Sequence, residues 1–600
     1  MPEDSVEHLS LRGGSEATLQ QWQDAVAGVL RKSGRLAEDA DPAQAPDKLT
    51  KRTTDGLTIP PLAGTEVARG LADGPSGADA VRGAAQGQRE PGDVPTWDLR
   101  AHVTNTDESI TSQLEGGAGS VWIATRPGAV TDLAKALDGV LLDVAPVVLD
   151  SAQPLADAET LVSLSGGKLH PTTNFGIDPS GERLLTGAAL DVDLAAAARL
   201  AQQHGVRAFV VDASIVHDAG AGEVLELAYA AAAGIDLLRQ LDSAGVAAAE
   251  AVGLIEFRYA ATDQQFTTIS KLRAARAIWA RICQVLDVVD DVQHQHVVTS
   301  ARMLTQFDPF TNLLRTTIAT FASAVGGAES ITVRAYDDSL GQTDEFGSRM
   351  ARNISNLLVH ESHIGQVTDP AGGAGSMEAL TDSLARAAWE KFTGIDAEGL
   401  QAFIDGQLTD EIASSVQSRA EAIAKRKQAI TGVSEFPQSN EQLLERSAGY
   451  SRFTDSALLR PVHDADEFEA LRHNPVSAPI FLWPVGDLAS TTARATFVSN
   501  LLAAGGITVV SGTAGRSFDE LKGEYDAAGA GAACLVGSDP GYSAEGAALV
   551  DQLHAAGIAH VAVAGKPVAE LDGKVDDSVA VGQNVLDFLN RTRSALEATR

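Results

Sequence analysis

The stretch VGLIEFRYAATDQQFTTISKLRAARAIWARICQVLDVV, residues 252–289, decides the fold class. Its beginning, residues 252–260, is rich in β-branched and aromatic side chains, which favour a buried strand. The remainder places apolar side chains on one stripe at helical spacing, with the basic side chains largely off that stripe. The stripe consists of Ile269, Leu272, Trp279, Ile282, Leu286 and Val289, and the basic residues are Lys271, Arg273, Arg276 and Arg281. The segment therefore predicts one strand followed by an amphipathic helix over 267–289.

The same alternation extends in both directions from this unit, from about residue 116 to residue 380. The predicted strand runs are 119–125, 145–151, 171–178, 207–216, 252–260, 295–301, 330–338 and 363–370. Several of the segments between them have clear helical periodicity. Eight strands with intervening helices favour a (β/α)8 TIM barrel, and an open doubly wound sheet is the main alternative.

A second alternation of strands and helices occupies the C-terminal part of the chain. Its predicted strands are 478–486, 506–512, 531–537, 558–565 and 577–582, each followed by a helix pattern. Five such units in so short a stretch favour a flavodoxin-like, doubly wound domain. The loop after its first strand is where such domains usually hold a ligand, yet the residues between Gly486 and Thr492 include no histidine, cysteine or glycine fingerprint.

The N-terminal part predicts a helix over 15–35, with Leu19, Trp22, Val26 and Leu30 on one face. Residues 36–96 show little periodicity and predict either an extended arm that crosses another surface or a plain linker. The apolar face of the helix must be covered by its own barrel or by a partner, and we expect the partner. The predicted domains are an N-terminal helix and arm (1–95), a barrel (96–385), a helical linker (386–475) and the flavodoxin-like domain (476–600).

The composition is that of a soluble globular protein with a strong acidic excess. Lys and Arg number 46 against 80 Asp and Glu, which gives a net charge of −34. This sign argues against extended contact with nucleic acid or an anionic membrane. No apolar run is long enough to span a membrane, and the N-terminus lacks the apolar region of a signal peptide. The two cysteines, Cys283 and Cys534, suit a reducing cytoplasm and exclude a cysteine-based zinc site.

Three segments resemble the adenosylcobalamin-dependent methylmalonyl-CoA mutases. The stretch VHDAGAGEVLELAYAAAAGIDLLRQLDSAG (216–245) is similar to the family's fourth strand-to-helix unit, and TISKLRAARAIWARI (268–282) is similar to its K-x-R-A-x-R-x-x-W helix. Residues 307–380 resemble the end of the family's barrel almost throughout. The resemblance covers roughly residues 15–600 and implies the same plan of barrel and flavodoxin-like domain.

The resemblance also implies a cofactor that this chain is not equipped to ligate. Family members cleave a Co–C bond and rearrange a carbon skeleton inside the barrel, while the cofactor supplies the radical chemistry. Their catalytic chains bind cobalt through the histidine of a D-x-H-x-x-G loop, oriented by the aspartate. In this sequence Thr491 stands where the histidine belongs, Ala489 replaces the aspartate, and a family lysine falls near Val485. We therefore expect no adenosylcobalamin and no metal on this chain.

The barrel departs from the family's catalytic pattern as well. Of the T-Y-x-x-R-P-W region only Trp97 and Arg100 persist, and His102 replaces the tyrosine expected two places after the arginine. The third strand region, 170–187, has no match for the glutamine and arginine that receive the substrate carboxylate. His217 stands where the family hydrogen-bonds the thioester carbonyl, and we predict a vestigial or structural role for it. The segment GSDPG (537–541) lies where the family accommodates the corrin, or it forms an ordinary turn.

Taken together, the resemblance implies a small (beta) subunit of a heterodimeric methylmalonyl-CoA mutase. Such a chain is itself non-catalytic and stabilises a larger catalytic subunit, which holds adenosylcobalamin and interconverts methylmalonyl-CoA and succinyl-CoA. The alternative is a self-sufficient acyl-CoA mutase, or an acyl-CoA-binding barrel with an altered site. A third hypothesis is an assembly factor for a mutase, although the sequence contains no P-loop motif.

Overall fold

The computed structural model describes residues 18–63, 81, 97–105, 109–289, 292–367, 369–439 and 441–598. Its two large parts are a closed barrel of eight parallel strands and a separate five-stranded parallel sheet. The predicted α/β class and the barrel are therefore confirmed. Because the first sheet closes on itself, the open doubly wound alternative for that part of the chain is wrong.

The described N-terminal residues form a small helical unit with a hairpin. Helix α1 (Leu19–Lys32) begins with a capping box, and α2 (Ala45–Leu49) precedes the hairpin β1 (Lys51–Arg52) and β2 (Thr58–Ile59). Leu30 of α1 packs against the segment just after the helix, in a cluster with Ala27, Leu36 and Ala45. Residues 36–63 are thus more structured than their weak periodicity predicts, since α1 gives them an apolar surface to fold on. The rest of the predicted arm, 64–80 and 82–96, lies outside the described residues.

The barrel strands follow one another around the barrel in chain order. They are β3 (Asp98–Val103), β4 (Ser120–Thr125), β5 (Val147–Ser151), β6 (Asn174–Ile177), β7 (Arg207–Asp212), β8 (Ile255–Ala261), β9 (His294–Thr299) and β10 (Ser330–Thr332), and β10 pairs with β3 to close the barrel. Side chains alternate across each strand. In β4, Val121 and Ile123 point to the surrounding helices, whereas Trp122 joins Val148 and Val298 in a cluster within the barrel.

One predicted barrel strand is wrong. The described residues of 363–370 form turns, and His363, Gly365 and Asp369 have positive φ angles that a strand does not allow. The barrel takes its remaining strand from β3, which pairs with both β4 and β10. The predicted run 207–216 also ends early, because the chain turns into a short helix after Asp212.

Helices surround the barrel on its outer side. They are α3 (Ile110–Glu115), α4 (Leu133–Ala136), α5 (Pro154–Leu164), α6 (Pro179–Thr186), α7 (Leu194–His204), α8 (Ser214–Asp218), α9 (Glu223–Ser243), α10 (Ala248–Ala251), α11 (Gln265–Val285), α12 (Thr311–Val325) and α13 (Glu345–His360). Three further helices follow, α14 (Gly375–Glu398), α15 (Leu400–Gly406) and α16 (Leu408–Ala424). Helix α14 packs over α9 and α11 and so forms a second layer on that side of the barrel.

This second layer buries three basic residues of α11. Lys271, Arg273 and Arg276 lie off the apolar stripe, yet all three are buried. Lys271 donates to Glu226 on α9, and Arg273 donates to Glu378 on α14. The helix also ends at Val285, so that Val289, predicted for the stripe, is exposed. A single amphipathic pattern could not reveal that both faces of α11 would be covered.

Residues 425–465, here called the connector, contain no helix among those described. They form the middle of the region 386–475 that was predicted as a helical linker, whose earlier part holds α15, α16 and the end of α14. Helix α17 (Asp466–His473) then leads to the C-terminal sheet. Its strands are β11 (Ile480–Val485), β12 (Val509–Ser511), β13 (Ala532–Gly537), β14 (Val561–Ala564) and β15 (Asp577–Val579). Its helices are α18 (Leu488–Ala504), α19 (Phe518–Ala528), α20 (Asp539–Gly541), α21 (Ala547–Ala555) and α22 (Val585–Ala598). The strand order is β12-β11-β13-β14-β15, and apolar clusters cover both faces.

Gly176 in β6 provides a test of how tightly the barrel closes. Its φ is +70°, and a Cβ atom there would lie 1.8 Å from the carbonyl oxygen of Leu149 in β5. We expect Gly176→Ala to lower the free energy of unfolding by about 3 kcal/mol or more, because the new methyl group forces the two strands apart. Urea unfolding followed by circular dichroism measures this loss.

The matched control is Gly205→Ala, at the end of α7. Gly205 also has a positive φ, +64°, but no atom lies within 4 Å of the position that a Cβ would take. This variant should lose only about 1 kcal/mol, from backbone strain alone. Equal losses in the two variants would contradict the close approach of β5 and β6.

Candidate functional site

The connector covers the carboxyl ends of the barrel strands, where TIM barrels carry their active sites. Its backbone amides donate to carbonyls of the segments that follow the barrel strands: Leu458 to Leu184 at 3.0 Å and Val462 to Asp218 at 2.9 Å. The amide of Gln342 donates to the connector in turn, at Ser447. The connector therefore crosses the mouth of the barrel and is hydrogen-bonded to it on several sides.

The interior of the barrel is filled by stacked aromatic and charged side chains. Trp122 of β4 is fully buried, and the ring of His102 stacks on it with centroids 3.8 Å apart. The guanidinium of Arg258 from β8 lies 4.0 Å from the centroid of the same indole. Arg258 also donates to His296 at 2.9 Å. These contacts make the barrel axis a packed core at the level of Trp122.

Arg452 of the connector reaches into this core. Its Nε lies 2.8 Å from Asp150 of β5, and its Nη1 donates to Asp212 of β7 at 2.9 Å. Burial alone would raise the pKa of Asp150, but Arg452 and Arg126 outweigh it and hold the pKa well below its usual value. The pKa of Asp212 is lowered in the same way, by Arg258 and Arg452 against burial. Both carboxylates are thus ionised, and Arg452 links the connector to two strands.

His217, the predicted vestigial residue, lies on α8 and is fully buried. Its Nε2 is 2.8 Å from the hydroxyl of Ser300, and its Nδ1 is 3.3 Å from Glu226, which also receives a hydrogen bond from Lys271. Burial, together with the nearby Arg302, holds the pKa of His217 well below its usual value. The imidazole is therefore neutral and engaged with core residues.

A cavity of about 250 Å3 remains between the barrel and the connector. Its lining includes His102, Asp218, Arg334, Tyr450, Arg452 and His463. Burial, with Arg334 nearby, holds the pKa of His102 well below its usual value, whereas burial raises that of Asp218 against the pull of Arg334. Ligand pockets usually have about 300–1,000 Å3, so this space suits a small polar solute or water.

The loop after β11 begins the predicted cofactor region. Asp487 caps α18 by accepting a hydrogen bond from the amide of Ser490 at 2.9 Å. Thr491 is buried, and its hydroxyl donates to the carbonyl of Leu488 at 3.1 Å. Ala489 lies in the same first turn. The side chains at positions 489 and 491 thus offer no ligand to a metal.

Tyr542 fills the crevice at the carboxyl ends of β13 and β14. It follows the GSDPG segment and is fully buried. Its hydroxyl accepts a hydrogen bond from the amide of Gly537 at 2.9 Å and lies 3.1 Å from the carbonyl of Ala564. The guanidinium of Arg494 covers the ring at 4.8 Å. Burial raises the pKa of Tyr542 to about 12, so the hydroxyl keeps its proton. Apart from the turn itself, no sequence pattern indicated this arrangement.

Three further observations concern the described residues. Among them, no group of three or more His, Cys, Asp or Glu side chains is placed to bind a metal ion. No helix in the described ranges is both long and apolar enough to cross a membrane. Cys534 is buried, and burial raises its pKa to about 12, so it is not a reactive thiolate.

Comparison with known proteins places this architecture in a family. The family model described as Methylmalonyl-CoA mutase matches residues 196–456, from α7 through most of the connector. The methylmalonyl-CoA mutase small subunit of Streptomyces virginiae is 39% identical over 95% of this chain and 97% of its own length.

Two other relatives are similar over nearly the same extent. The methylmalonyl-CoA mutase small subunit of Propionibacterium freudenreichii subsp. shermanii is 34% identical, covering 98% of this chain and 96% of its own. A probable methylmalonyl-CoA mutase small subunit of Mycobacterium bovis is 33% identical over 98% and 99%. The chain therefore belongs to the methylmalonyl-CoA mutase family.

Proposed function

We propose that this chain is the small, non-catalytic subunit of a heterodimeric, adenosylcobalamin-dependent methylmalonyl-CoA mutase. Its role is to stabilise a larger catalytic subunit, which interconverts methylmalonyl-CoA and succinyl-CoA. The observation that carries the proposal is the filled barrel axis, with Trp122 held between His102 and Arg258. The full-length similarity to small subunits supports it as well. The buried cysteines fit a cytoplasmic complex.

The barrel interior argues against the alternative of a self-sufficient mutase or an acyl-CoA-binding barrel. A rearrangement inside the barrel needs space along its axis, which Trp122 and Arg258 occupy. The remaining cavity of about 250 Å3 is too small for a CoA thioester. His217 cannot polarise a carbonyl while its Nε2 faces Ser300 within the core. For these reasons we assign no catalytic residue to the chain.

The C-terminal part supports the same assignment. Its strand order β12-β11-β13-β14-β15 is the flavodoxin-like order, so we propose that residues 476–600 form a domain of the cobalamin-binding type. Ligands of such folds bind at the carboxyl ends of the strands, next to β11 and β13. Here Thr491 and Ala489 provide no imidazole or carboxylate, and Tyr542 fills the adjacent crevice. These residues do not fit a histidine-ligated corrinoid, so the cofactor belongs to the larger subunit.

The N-terminal unit is the part of the chain that we propose to contact the larger subunit. Leu19 is 59% exposed and lines, with Trp22 and Pro60–Leu62, a groove of about 650 Å3. The Leu30 side of α1 is covered by the unit itself. The hairpin is tied to the barrel, because Asp55 accepts a hydrogen bond from Val224 at the start of α9. The exposed side of α1 is thus presented from a fixed position.

The first prediction from this proposal concerns the cofactor. The isolated chain, mixed with adenosylcobalamin, should give no absorption spectrum of a base-off corrinoid with histidine on cobalt, because position 491 is threonine. The larger subunit under the same conditions is the control and should give that spectrum. A base-off, histidine-ligated spectrum from this chain alone would refute the proposal.

A second prediction concerns His217. His217→Ala should leave turnover of the reconstituted mutase close to wild type per folded complex, while stability falls by about 2–4 kcal/mol because a buried, hydrogen-bonded ring is lost. Steady-state kinetics on complexes quantified by sedimentation separate the two effects. The control is the same substitution at the thioester-binding histidine of the larger subunit, which should cost about 100-fold or more. A comparable loss in His217→Ala would show that this histidine is functional.

A third prediction concerns the N-terminal unit. Deleting residues 1–35 removes α1 and should leave the circular dichroism of the barrel largely intact, while sedimentation velocity should show weaker pairing with the larger subunit. Trp22→Ala, in the groove, should weaken pairing in the same direction. Val29→Ala is the matched control, because Val29 is 67% exposed and does not line the groove. Pairing of the truncated chain with full affinity would mean that α1 serves only its own fold.

A further inference from the structure

The N-terminal unit is attached to the barrel through its hairpin. Leu57 and Ile59 pack against the apolar core of the barrel. Asp55, in the turn between β1 and β2, reaches the start of α9, where its Oδ2 accepts a hydrogen bond from the amide of Val224 at 3.2 Å. The hairpin therefore holds the unit on the barrel through a polar contact beside an apolar one.

Asp55 takes the place of a capping side chain that α9 does not have. The residue before this helix is Gly222, which supplies no side-chain cap. A Cβ atom at position 222 would lie only 2.1 Å from Oδ1 of Asp55, so the glycine leaves room for the carboxyl group. The first amides of a helix have no partner within the helix and are normally satisfied by a capping oxygen. The hairpin thus completes a barrel helix from outside the barrel.

The same contact brings two carboxyl groups together. Glu223 is the first residue of α9, and its side chain is hydrogen-bonded to that of Asp55. A carboxyl group can donate to a carboxylate, whereas two carboxylates in contact repel each other. This hydrogen bond therefore exists only while one of the two groups carries a proton.

The charged neighbours decide which of the two groups carries it. Burial would raise the pKa of Glu223, but Lys271 of α11 and Arg302 outweigh it and hold that pKa below its usual value. Burial, followed by the charge of Glu223, raises the pKa of Asp55 to about 7, against the pull of Arg419 on α16 and of the backbone amide that Asp55 accepts from. Glu223 is thus the carboxylate, and Asp55 is the group that loses its proton in the neutral range.

The other described neighbours keep their charge state in that range. Arg302 and Arg419 lie 3.5 Å and 3.7 Å from Asp464 of the connector. Burial lowers the pKa of Arg419 only to about 10, so its guanidinium stays charged. His217, which lies near Glu223, stays neutral because burial holds its pKa well below the usual value. Among these groups Asp55 is therefore the one that changes charge near pH 7.

We propose that Asp55 and Glu223 form a latch that holds the N-terminal unit on the barrel while Asp55 is protonated and loosens when Asp55 ionises. Since the closed state binds the proton more tightly than the open one, the latch is strongest in acid and its stabilisation is lost as the pH rises through about 7. The unit also carries the groove around Trp22, so an open latch should weaken pairing with the larger subunit. That last step rests on the proposed function, whereas the latch is a property of this chain alone.

The test is amide hydrogen exchange of the full chain at pH 6 and pH 8, corrected for intrinsic exchange rates. Peptides that include residues 51–59 and 222–226 report closure of the latch. Their protection should be about fivefold or more higher at pH 6, since one proton taken up with a pKa near 7 gives at most about tenfold between these pH values. Equal protection at both pH values, or higher protection at pH 8, would make Asp55 an ordinary cap of α9 and overturn the latch.

Asp55→Asn separates the proton from the shape of the side chain. Asparagine does not ionise, yet it can still accept from Val224 and donate to Glu223, so protection should differ by less than about twofold between the two pH values. Asp39→Asn is the matched control, because it removes the same charge from an exposed position of the same unit. It should keep the wild-type difference. A full pH difference in Asp55→Asn would assign the effect to another group and refute the proposal.

Pairing with the larger subunit, measured by sedimentation velocity at the same two pH values, is the second readout. The pH dependence of pairing should be smaller in Asp55→Asn than in wild type and Asp39→Asn. If all three chains show the same pH dependence, the latch does not act on pairing and that step is overturned, while the proposed function stands. If the folded wild-type chain does not pair at all, the proposed function fails, and hydrogen exchange on this chain alone still decides the latch.

Discussion

The structure depends on the neutralisation of two buried carboxylates inside the barrel. Asp150 and Asp212 come from different strands, and both are buried and ionised. Removing one partner of a buried ion pair typically costs about 3–5 kcal/mol of stability. The arginines that pair with these two carboxylates are therefore needed for the fold. Arg452 serves both and comes from the connector. By pairing with both carboxylates, Arg452 fixes the connector across the barrel mouth and makes the barrel axis part of the core.

Bulky aromatic side chains fill two places where α/β folds usually hold ligands. In the barrel, Trp122 lies between the ring of His102 and the guanidinium of Arg258. In the C-terminal sheet, Tyr542 closes the crevice and satisfies the amide of Gly537. Trp122 and Tyr542 are both bulky aromatic side chains, and neighbouring polar groups hold each of them in place. Function therefore has to be argued from sites and not from architecture.

The pattern of the sequence predicted most of the fold. Seven of the eight predicted barrel strands overlap observed ones, and all five strands of the C-terminal sheet do. Strand β3 was not predicted, since Asp98–Val103 mixes charged and apolar residues. Arg100 pairs with Glu256 of β8, and Asp98 accepts a hydrogen bond from Ser120 of β4, which local sequence does not reveal. The opposite error, at 363–370, arose from isolated apolar residues among turn-forming ones. The burial of Lys271 and Arg273 was equally invisible, because it results from α14 packing over α11.

The sequence by itself determined the α/β class, the alternation that builds the barrel, the acidic excess, and the absence of an imidazole at positions 489 and 491. These are properties of composition, local periodicity or residue identity, which do not depend on tertiary contacts. Only the tertiary structure decided that Arg452 pairs with Asp212, 240 residues away, or that α14 buries the charges of α11. It also decided that Tyr542 turns into the crevice beside β13. Such contacts arise because a closed barrel brings distant segments to one end, and no local pattern records which of them will meet there.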